Sequence, residues 1–403
     1  MANILLAWEL GGGYGHLAPL RVLAAELKRR GHEIVYAVRD LAAAAEVLDP
    51  ATGPILQAPL QMAAIHHPLR VQVSYASLLH NSGFDHAPHL AARLRAWAEL
   101  LQRHRCDLLA TDHAPSAVAA ARGIGLPVLQ FGTGFTVPPR RQPYPAFRPG
   151  LRVSDDVLRH NEQRVCDRIA GAFKQLGWAA PDSLQSLFGE TARALCSYPE
   201  LDHYGARSEP YLGLPDMAQG EPPEWPDGEG PRVFGYLRPG KSLAAVLAAL
   251  QRLPARVLLR VGGIEAERLR SFERPGLRIL DRAVQLRLAA RECDAYVHYA
   301  AHGTTAEMLL AGKPGLLLPE TVEQNLVALR ATQLGAALTP PPKGEFNLSA
   351  ALRQLLDDAR LRNAATTFAA RYAVQDRSQI VPRLADQALA AITRPPRAAP
   401  AGS

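Results

Sequence analysis

Residues 302–324 read H-G-T-T-A-E-M-L-L-A-G-K-P-G-L-L-L-P-E-T-V-E-Q. The order is a small-residue turn, a short helix with an acid near its start, a buried strand, then an acid–amide pair. A helix N-terminus presents unpaired N–H groups and partial positive charge to an anion such as a diphosphate. Gly303 would let the backbone approach closely. Glu307 could accept hydrogen bonds from ribose hydroxyls, and Glu323 with Gln324 could do so from sugar hydroxyls. The segment therefore suits a nucleotide diphosphate sugar. A structural alternative uses the same residues: Thr304-x-x-Glu307 is also a capping box, and Gly312 followed by Pro314 is ordinary helix termination.

A second reactive constellation lies near the N-terminus, where residues 11–20 read G-G-G-Y-G-H-L-A-P-L. The glycines make a flexible loop, and His16 stands just before a helix. A histidine suits proton transfer because its unperturbed pKa lies near operating pH. The same loop contains Gly13-x-Gly15-x-x-Ala18, a dinucleotide fingerprint, with Asp40 where a ribose-binding acid would sit. That alternative makes the chain an NAD-dependent oxidoreductase. It is weakened by the position of Gly13, too far beyond Trp8 for a turn that follows its strand directly. Five further histidines, His66, His67, His80, His86 and His89, have a spacing that fits no common metal site. They are expected to be solvated or to line an acceptor pocket, and no metal is expected.

Positioning such residues takes a large framework. The 403 residues exceed one typical core and suit two domains. Hydrophobic content of 48% and charged content of 21% are those of a soluble globular protein. No apolar run reaches the ~18 residues of a transmembrane helix, and the N-terminus reads as a strand rather than a signal peptide. Cys106, Cys166, Cys196 and Cys293 are far apart, so neither a disulfide framework nor a zinc site is expected, and a cytoplasmic location fits. The net charge of +7 is spread along the chain without a basic block, which disfavours nucleic acid. It is compatible with an anionic donor or with peripheral contact to an anionic membrane.

Residues 3–8, 33–38, 107–111 and 127–131 read as strands, and 17–30 and 114–122 as helices, with Leu17, Leu20, Leu23, Ala24 and Leu27 at helical spacing. The run from His66 to His89 is irregular. A break rich in Pro, Gly and acid at 215–231 reads as a linker. Strand and helix patterns restart over 232–319, and 349–392 reads as helices. The result is two α/β domains with parallel sheets, whose carboxyl edges are where ligands bind.

These motifs resemble those of family-one glycosyltransferases, the UDP-glycosyltransferase-like group, in their bacterial form. The resemblance rests on Gly15-His16-x-x-Pro19, Leu23-Ala24-x-x-Leu27, Arg30-Gly31-His32 and the 297–324 segment, and covers roughly 3–40, 105–132 and 277–338. It implies a GT-B fold: two Rossmann-like α/β domains facing each other across a cleft. It assigns 1–214 to the acceptor domain, 215–231 to a linker and 232–372 to the nucleotide-sugar domain. A helix over 373–394 would return to the first domain, ahead of a disordered tail at 395–403. It implies His16 as general base, oriented by Asp112, and metal-independent inverting transfer from a UDP- or dTDP-sugar, without a cofactor, to a small-molecule or lipid acceptor. Donor contacts would come from Tyr299, His302, Gly303, Thr304, Thr305, Glu307, Glu323 and Gln324, with Arg238 and Gln285 as further candidates. Gly13, His80, Thr133 and Phe135 are candidate acceptor-pocket residues. The chain departs from the family at Tyr299-Ala300-Ala301, where a diphosphate-binding His and two glycines are usual. A nucleotide-sugar 2-epimerase of the same fold and a non-catalytic nucleotide-sugar-binding protein are the alternatives.

Overall fold

The computed structural model describes residues 1–147, 151–217, 219–341 and 344–393. The expected disordered tail at 395–403 lies outside them. The chain forms two compact units: Met1–Tyr198 with Arg207–Asp216 and the segment from Arg377, and Pro199–Ala206 with Met217–Asp376. This division differs from a single boundary at 214. Pro199–Ala206 joins the second unit, where the Tyr372 hydroxyl donates to the Glu200 carboxylate at 2.6 Å and Arg330 donates to the His203 carbonyl at 3.3 Å. The expected linker is likewise tied to that unit, since Trp225 donates to Glu292 at 2.8 Å and Glu221 forms a β-bridge with Val284.

The first unit holds a sheet of β1 (Asn3–Trp8), β2 (Glu33–Val38), β3 (Ile55–Gln57), β4 (Leu108–Thr111), β5 (Val128–Gly132) and β6 (Ala192–Leu195), in the order β3-β2-β1-β4-β5-β6. Every pairing is parallel. Buried on both faces, these strands are apolar runs rather than alternating ones. The second unit holds β7 (Arg232–Leu237), β8 (Arg256–Val261), β9 (Leu277–Leu280), β10 (Ala295–His298), β11 (Gly315–Leu317) and β12 (Ala337–Leu338), in the order β12-β11-β10-β7-β8-β9. Counted within its own unit, each sheet has strand order 3-2-1-4-5-6. In such a sheet the order reverses between the first and fourth strands, and a crevice opens at their carboxyl ends. In the first unit that point follows β1 and β4, and in the second it follows β7 and β10.

The helix Leu17–Arg29 covers the first sheet because Leu17, Leu20, Leu23, Ala24 and Leu27 share one buried face. The helix Ile380–Thr393 packs into the same core through Leu384, Ala385 and Ala388, against β4, β5, β6 and the Leu17–Arg29 helix. A 22-residue helix, Asp155–Leu176, is capped by the Ser154 hydroxyl and stopped by left-handed Gly177. Among the described residues, no helix is long and apolar enough to cross a membrane.

Leu384 is fully buried. Leu384→Ala is expected to lower stability by about 2–5 kcal/mol through the cavity it leaves. Urea unfolding measures this, and a loss below ~1 kcal/mol would mean that the helix contributes little to that core.

Candidate functional site

Reactive side chains gather at the carboxyl end of each sheet. In the first unit, β1 pairs with β4 in the register Ile4↔Leu108 through Ala7↔Thr111. The next rung is the Asp112 N–H donating to the Ala7 carbonyl at 3.1 Å. The chain after β1 loops through Gly11 to Tyr14 and enters the helix at His16, its N-cap residue. These two routes bring His16 Nδ1 to 3.2 Å from Asp112 Oδ2, with both side chains largely buried. A carboxylate accepting from Nδ1–H leaves Nε2 as the basic nitrogen. The His16 ring stacks on Trp8 with centroids 5.5 Å apart. Gly11, at φ +91, is required there, because a Cβ would lie 2.4 Å from His16 Nε2.

Asp112 does not cap the following helix. The Pro115–Gly123 helix has Ala114 at its N-cap without a side-chain bond, and the Ala114 N–H is taken by the Thr111 hydroxyl at 3.0 Å. Buried Glu9 serves the helix instead, accepting from Ser116 N at 2.8 Å and from Ser116 Oγ at 2.6 Å. Arg93 completes the cluster, donating to Ser116 Oγ at 2.8 Å and to the Gly83 carbonyl at 2.9 Å. Burial raises the Glu9 carboxyl pKa, with Arg93 opposing. Asp40 caps its own helix, with Oδ1 accepting from the Ala43 N–H at 3.0 Å.

His113 is a site residue that sequence reasoning missed; its only signal is its place beside Asp112. It is buried, takes a left-handed φ of 54, and its carbonyl accepts from the Glu9 and Leu10 N–H groups at 3.3 and 2.9 Å. Its ring lies 6.2 Å from that of His16 and 5.8 Å from that of Phe135. Burial first, then the His16 charge, pushes its pKa down to about 3. Phe135 is thus beside the His16 group and stacks on Phe147. Gly13 lies in the His16 loop at φ +80. Thr133 turns its carbonyl to the Thr136 hydroxyl at 3.2 Å. His80 belongs elsewhere: it is buried with Nε2 at 3.2 Å from the His67 carbonyl, so it supports a loop rather than an acceptor pocket.

In the second unit the helix following β10 spans His302–Leu310, with Ala301 as N-cap and no side-chain cap. It starts two residues before Thr304, the cap residue of the capping-box alternative. Thr304 is therefore already inside the first turn and Glu307 lies near the middle, so the capping-box alternative fails. The first intrahelical bond joins the Thr305 N–H to the Ala301 carbonyl at 2.9 Å, leaving the preceding amides to face the helix end. Ala300 holds φ +56, a left-handed conformation, where the related motif has glycine.

Two expected donor contacts, Tyr299 and Thr305, have side chains engaged within the fold. The Tyr299 ring enters the core and its hydroxyl donates to the Arg238 carbonyl, so it is committed within the fold. Thr305 is fully buried, its hydroxyl bonded back to the Ala301 carbonyl at 3.0 Å and lying 3.2 Å from His298 Nε2. Gly303 is not sterically demanded, since a Cβ would meet nothing nearer than Met217 Cε at 3.6 Å. Gln324 is the third helical residue of a capping box with Thr321, and its amide oxygen accepts from Glu320 N at 2.8 Å and Thr321 N at 3.1 Å. Only its NH2 remains to face a sugar. Gln285 is the N-cap residue of Leu286–Glu292, and its N–H donates to the Glu221 carbonyl at 2.8 Å.

The remaining candidates are spread over the His302–Leu310 helix, the end of β7 and the helix that begins at Val322. Glu307 is buried in the helix, Thr304 is half-buried in its first turn, and Arg238 is exposed at the end of β7. Glu323 lies 3.8 Å from His203 Nε2. His302 stacks on His203 at 5.6 Å, and burial, opposed by Asp202, pushes its pKa down to about 4. Glu320 was not anticipated. Its carboxylate lies against Gly240, whose Cβ would come within 2.1 Å of it.

Residues 244–386 match the model of the erythromycin biosynthesis protein CIII-like C-terminal domain. The elloramycin glycosyltransferase ElmGT of Streptomyces olivaceus is 26% identical over 374 residues, covering 84% of this chain and 87% of that protein. The structure of the glycosyltransferase VinC in complex with dTDP aligns with a TM-score of 0.66 at 20% identity, over 96% of this chain and 100% of VinC. The spinosyn rhamnosyltransferase SpnG complexed with spinosyn aglycone aligns with a TM-score of 0.60 at 19% identity, over 95% and 100% of the two chains. The fold is GT-B, and the chain is similar to bacterial glycosyltransferases of the family-one kind.

Three buried histidines make the stability pH-dependent. Burial holds His113 and His298 at about 3 and His302 at about 4. An unfolded histidine titrates near ~6.5, so below that pH the unfolded chain binds more protons and stability falls toward acid. Each contributes a slope of roughly 1.4 kcal/mol per pH unit in that window. Thermal unfolding of His113→Gln across this range should show a slope shallower by about one proton than wild type. An unchanged slope would show that His113 protonates freely in the folded protein.

Proposed function

We propose that the protein transfers a sugar from a UDP- or dTDP-sugar to a hydroxyl of a small-molecule acceptor, with inversion and with His16 as general base. The observation that carries this reading is the buried His16–Asp112 pair at 3.2 Å. As the acceptor oxygen bonds to the anomeric carbon, its proton passes to His16 Nε2. The bond from that carbon to the diphosphate oxygen breaks, and the leaving group keeps the electron pair. Asp112 holds the imidazole tautomer and stabilises the imidazolium that forms. Attack opposite to the leaving group inverts the centre.

The donor diphosphate is assigned to the uncapped N-terminus of His302–Leu310. Its amides and dipole stabilise the leaving charge without a metal ion. Glu307 is assigned to the ribose, the Gln324 NH2 and Glu323 to the donor sugar, and Arg238 to phosphate. The dTDP in VinC and the aglycone in SpnG support these ligand classes. The Phe135 ring, beside His113 and stacked on Phe147, suits an apolar, ring-bearing acceptor.

His16→Ala is expected to lower kcat by roughly 10²–10⁴ and to leave calorimetric binding of dTDP or UDP nearly intact. Loss of nucleotide binding would overturn the assignment of His16 as base, and product of retained configuration by NMR would overturn inversion. Glu307→Ala should weaken nucleotide binding about 10–100-fold, the range for a hydrogen bond to a charged group. Unchanged affinity would remove Glu307 from the donor site.

A further inference from the structure

His66, His86 and His89 play no part in the chemistry assigned above, yet the fold gathers them. They come from two segments of the first unit: His66 from a loop, His86 and His89 from the start of the helix Ala87–Arg103. The ring centroids of His66 and His86 are 4.5 Å apart, those of His86 and His89 4.2 Å, and those of His66 and His89 5.5 Å. One ring nitrogen from each lies within 4.8 Å of the other two. We propose that these three imidazoles form a binding site for one divalent transition-metal ion of the zinc class, open at its remaining position to water.

The backbone positions the ligands before any ion arrives. His86 is the extended N-cap residue of the helix, and His89 lies three residues on, so both project from one side of the first turn. His66 is tied to the same place by its N–H, which donates to the buried carboxylate of Asp85. His86 Nδ1 is buried without a hydrogen-bond partner. A buried imidazole nitrogen in that state needs an explanation, and an ion supplies one. Three imidazole ligands with a free fourth position match tetrahedral zinc, whose ligand nitrogens stand roughly 3.3 Å apart at bond lengths of ~2.0–2.1 Å. Modest side-chain rotation brings the present rings to that spacing. His66 and His89 are exposed, which gives the ion a route in. Nitrogen-only donors select zinc, cobalt, nickel or copper over magnesium or calcium. The other two histidines of this stretch are engaged with each other, His80 on the His67 carbonyl, which is why linear spacing conceals the triad. Such an ion would pin the loop at 66 to the helix at 86–89, a structural clasp rather than a participant in sugar transfer.

The test is titration of the full-length, tag-free protein, stripped by chelator dialysis, with Co²⁺ followed by its visible absorption, and then displacement by Zn²⁺. One equivalent is expected to bind with tetrahedral absorption bands and to raise the melting temperature. His66→Gln and His89→Gln should each weaken binding by at least ~100-fold, the upper end for loss of a mere supporting contact. Both positions are exposed, so the stripped variants should melt as the stripped wild type does; a lower melting point would instead make the histidines structural and overturn the proposal. Absence of the bands in wild type would overturn it, as would binding that survives both substitutions.

Discussion

The bond between the His16 imidazole and the Asp112 carboxylate joins residues 96 positions apart, and much of the first unit exists to make it. A buried carboxylate needs a partner, and a buried imidazole needs one nitrogen fixed. Neither side chain could find the other without β1 lying parallel to β4 in the observed register. One residue of slip would move Asp112 to the opposite face of its strand. The pair also depends on a division of labour. Because Glu9 reaches across to the Ser116 N–H, the helix after β4 needs nothing from Asp112. The Glu9–Arg93–Ser116 cluster takes no part in the His16–Asp112 bond, yet it leaves the aspartate available. The two backbone bonds onto the His113 carbonyl fix the loop in the same way.

On the reading proposed above, the second unit meets the opposite electrostatic demand, to hold positive potential at the end of a strand. It does so with backbone rather than with a charged side chain. Tyr299 anchors the end of β10 by donating to the Arg238 carbonyl from within the core. The chain must then turn sharply to start a helix, and Ala300 does so in a left-handed conformation that costs a non-glycine residue about 1–2 kcal/mol. The next residue, Ala301, gives the helix no side-chain cap, and on the reading proposed above the first turn would meet the donor's diphosphate. An anion there would offset part of the local cost, as is common for strained backbone at binding sites.

Much of this was legible in the sequence, and what was not has identifiable causes. Strands such as Asn3–Trp8 and Glu33–Val38 are apolar runs between clear breakers, and the helix from Leu17 shows its buried face in the spacing of its leucines. His16 and Asp112 could be named through the family resemblance, on the Gly15-His16-x-x-Pro19 motif and on the acid that follows the strand ending at Thr111. The helix start at His302 was misplaced because Ala301 gives no capping signal, whereas Thr304 gives a false one. The commitment of Gln324 to the Thr321 cap was readable in Thr-x-x-Gln but competed with a ligand reading. Asp155–Leu176 carries Ser154, two acids and Gly177 as start and stop signals that could have been used. Glu9, His113 and the meeting of His66 with His86 and His89 depend on contacts across segments, which no local pattern encodes.

The placement of Leu384 within the first core has a consequence for biosynthesis. The ribosome delivers the amino-terminal sheet early, but the helix that closes one side of it only after the whole second unit has emerged. Until then the part of that core on β4, β5 and β6 lacks its cover. The unit built second is the one whose residues run almost without interruption, so it has everything it needs to fold before the first is complete. Vectorial synthesis thus reverses the order suggested by numbering: the first unit begins folding early and finishes last, holding a sticky surface that a nascent-chain chaperone would have reason to shield.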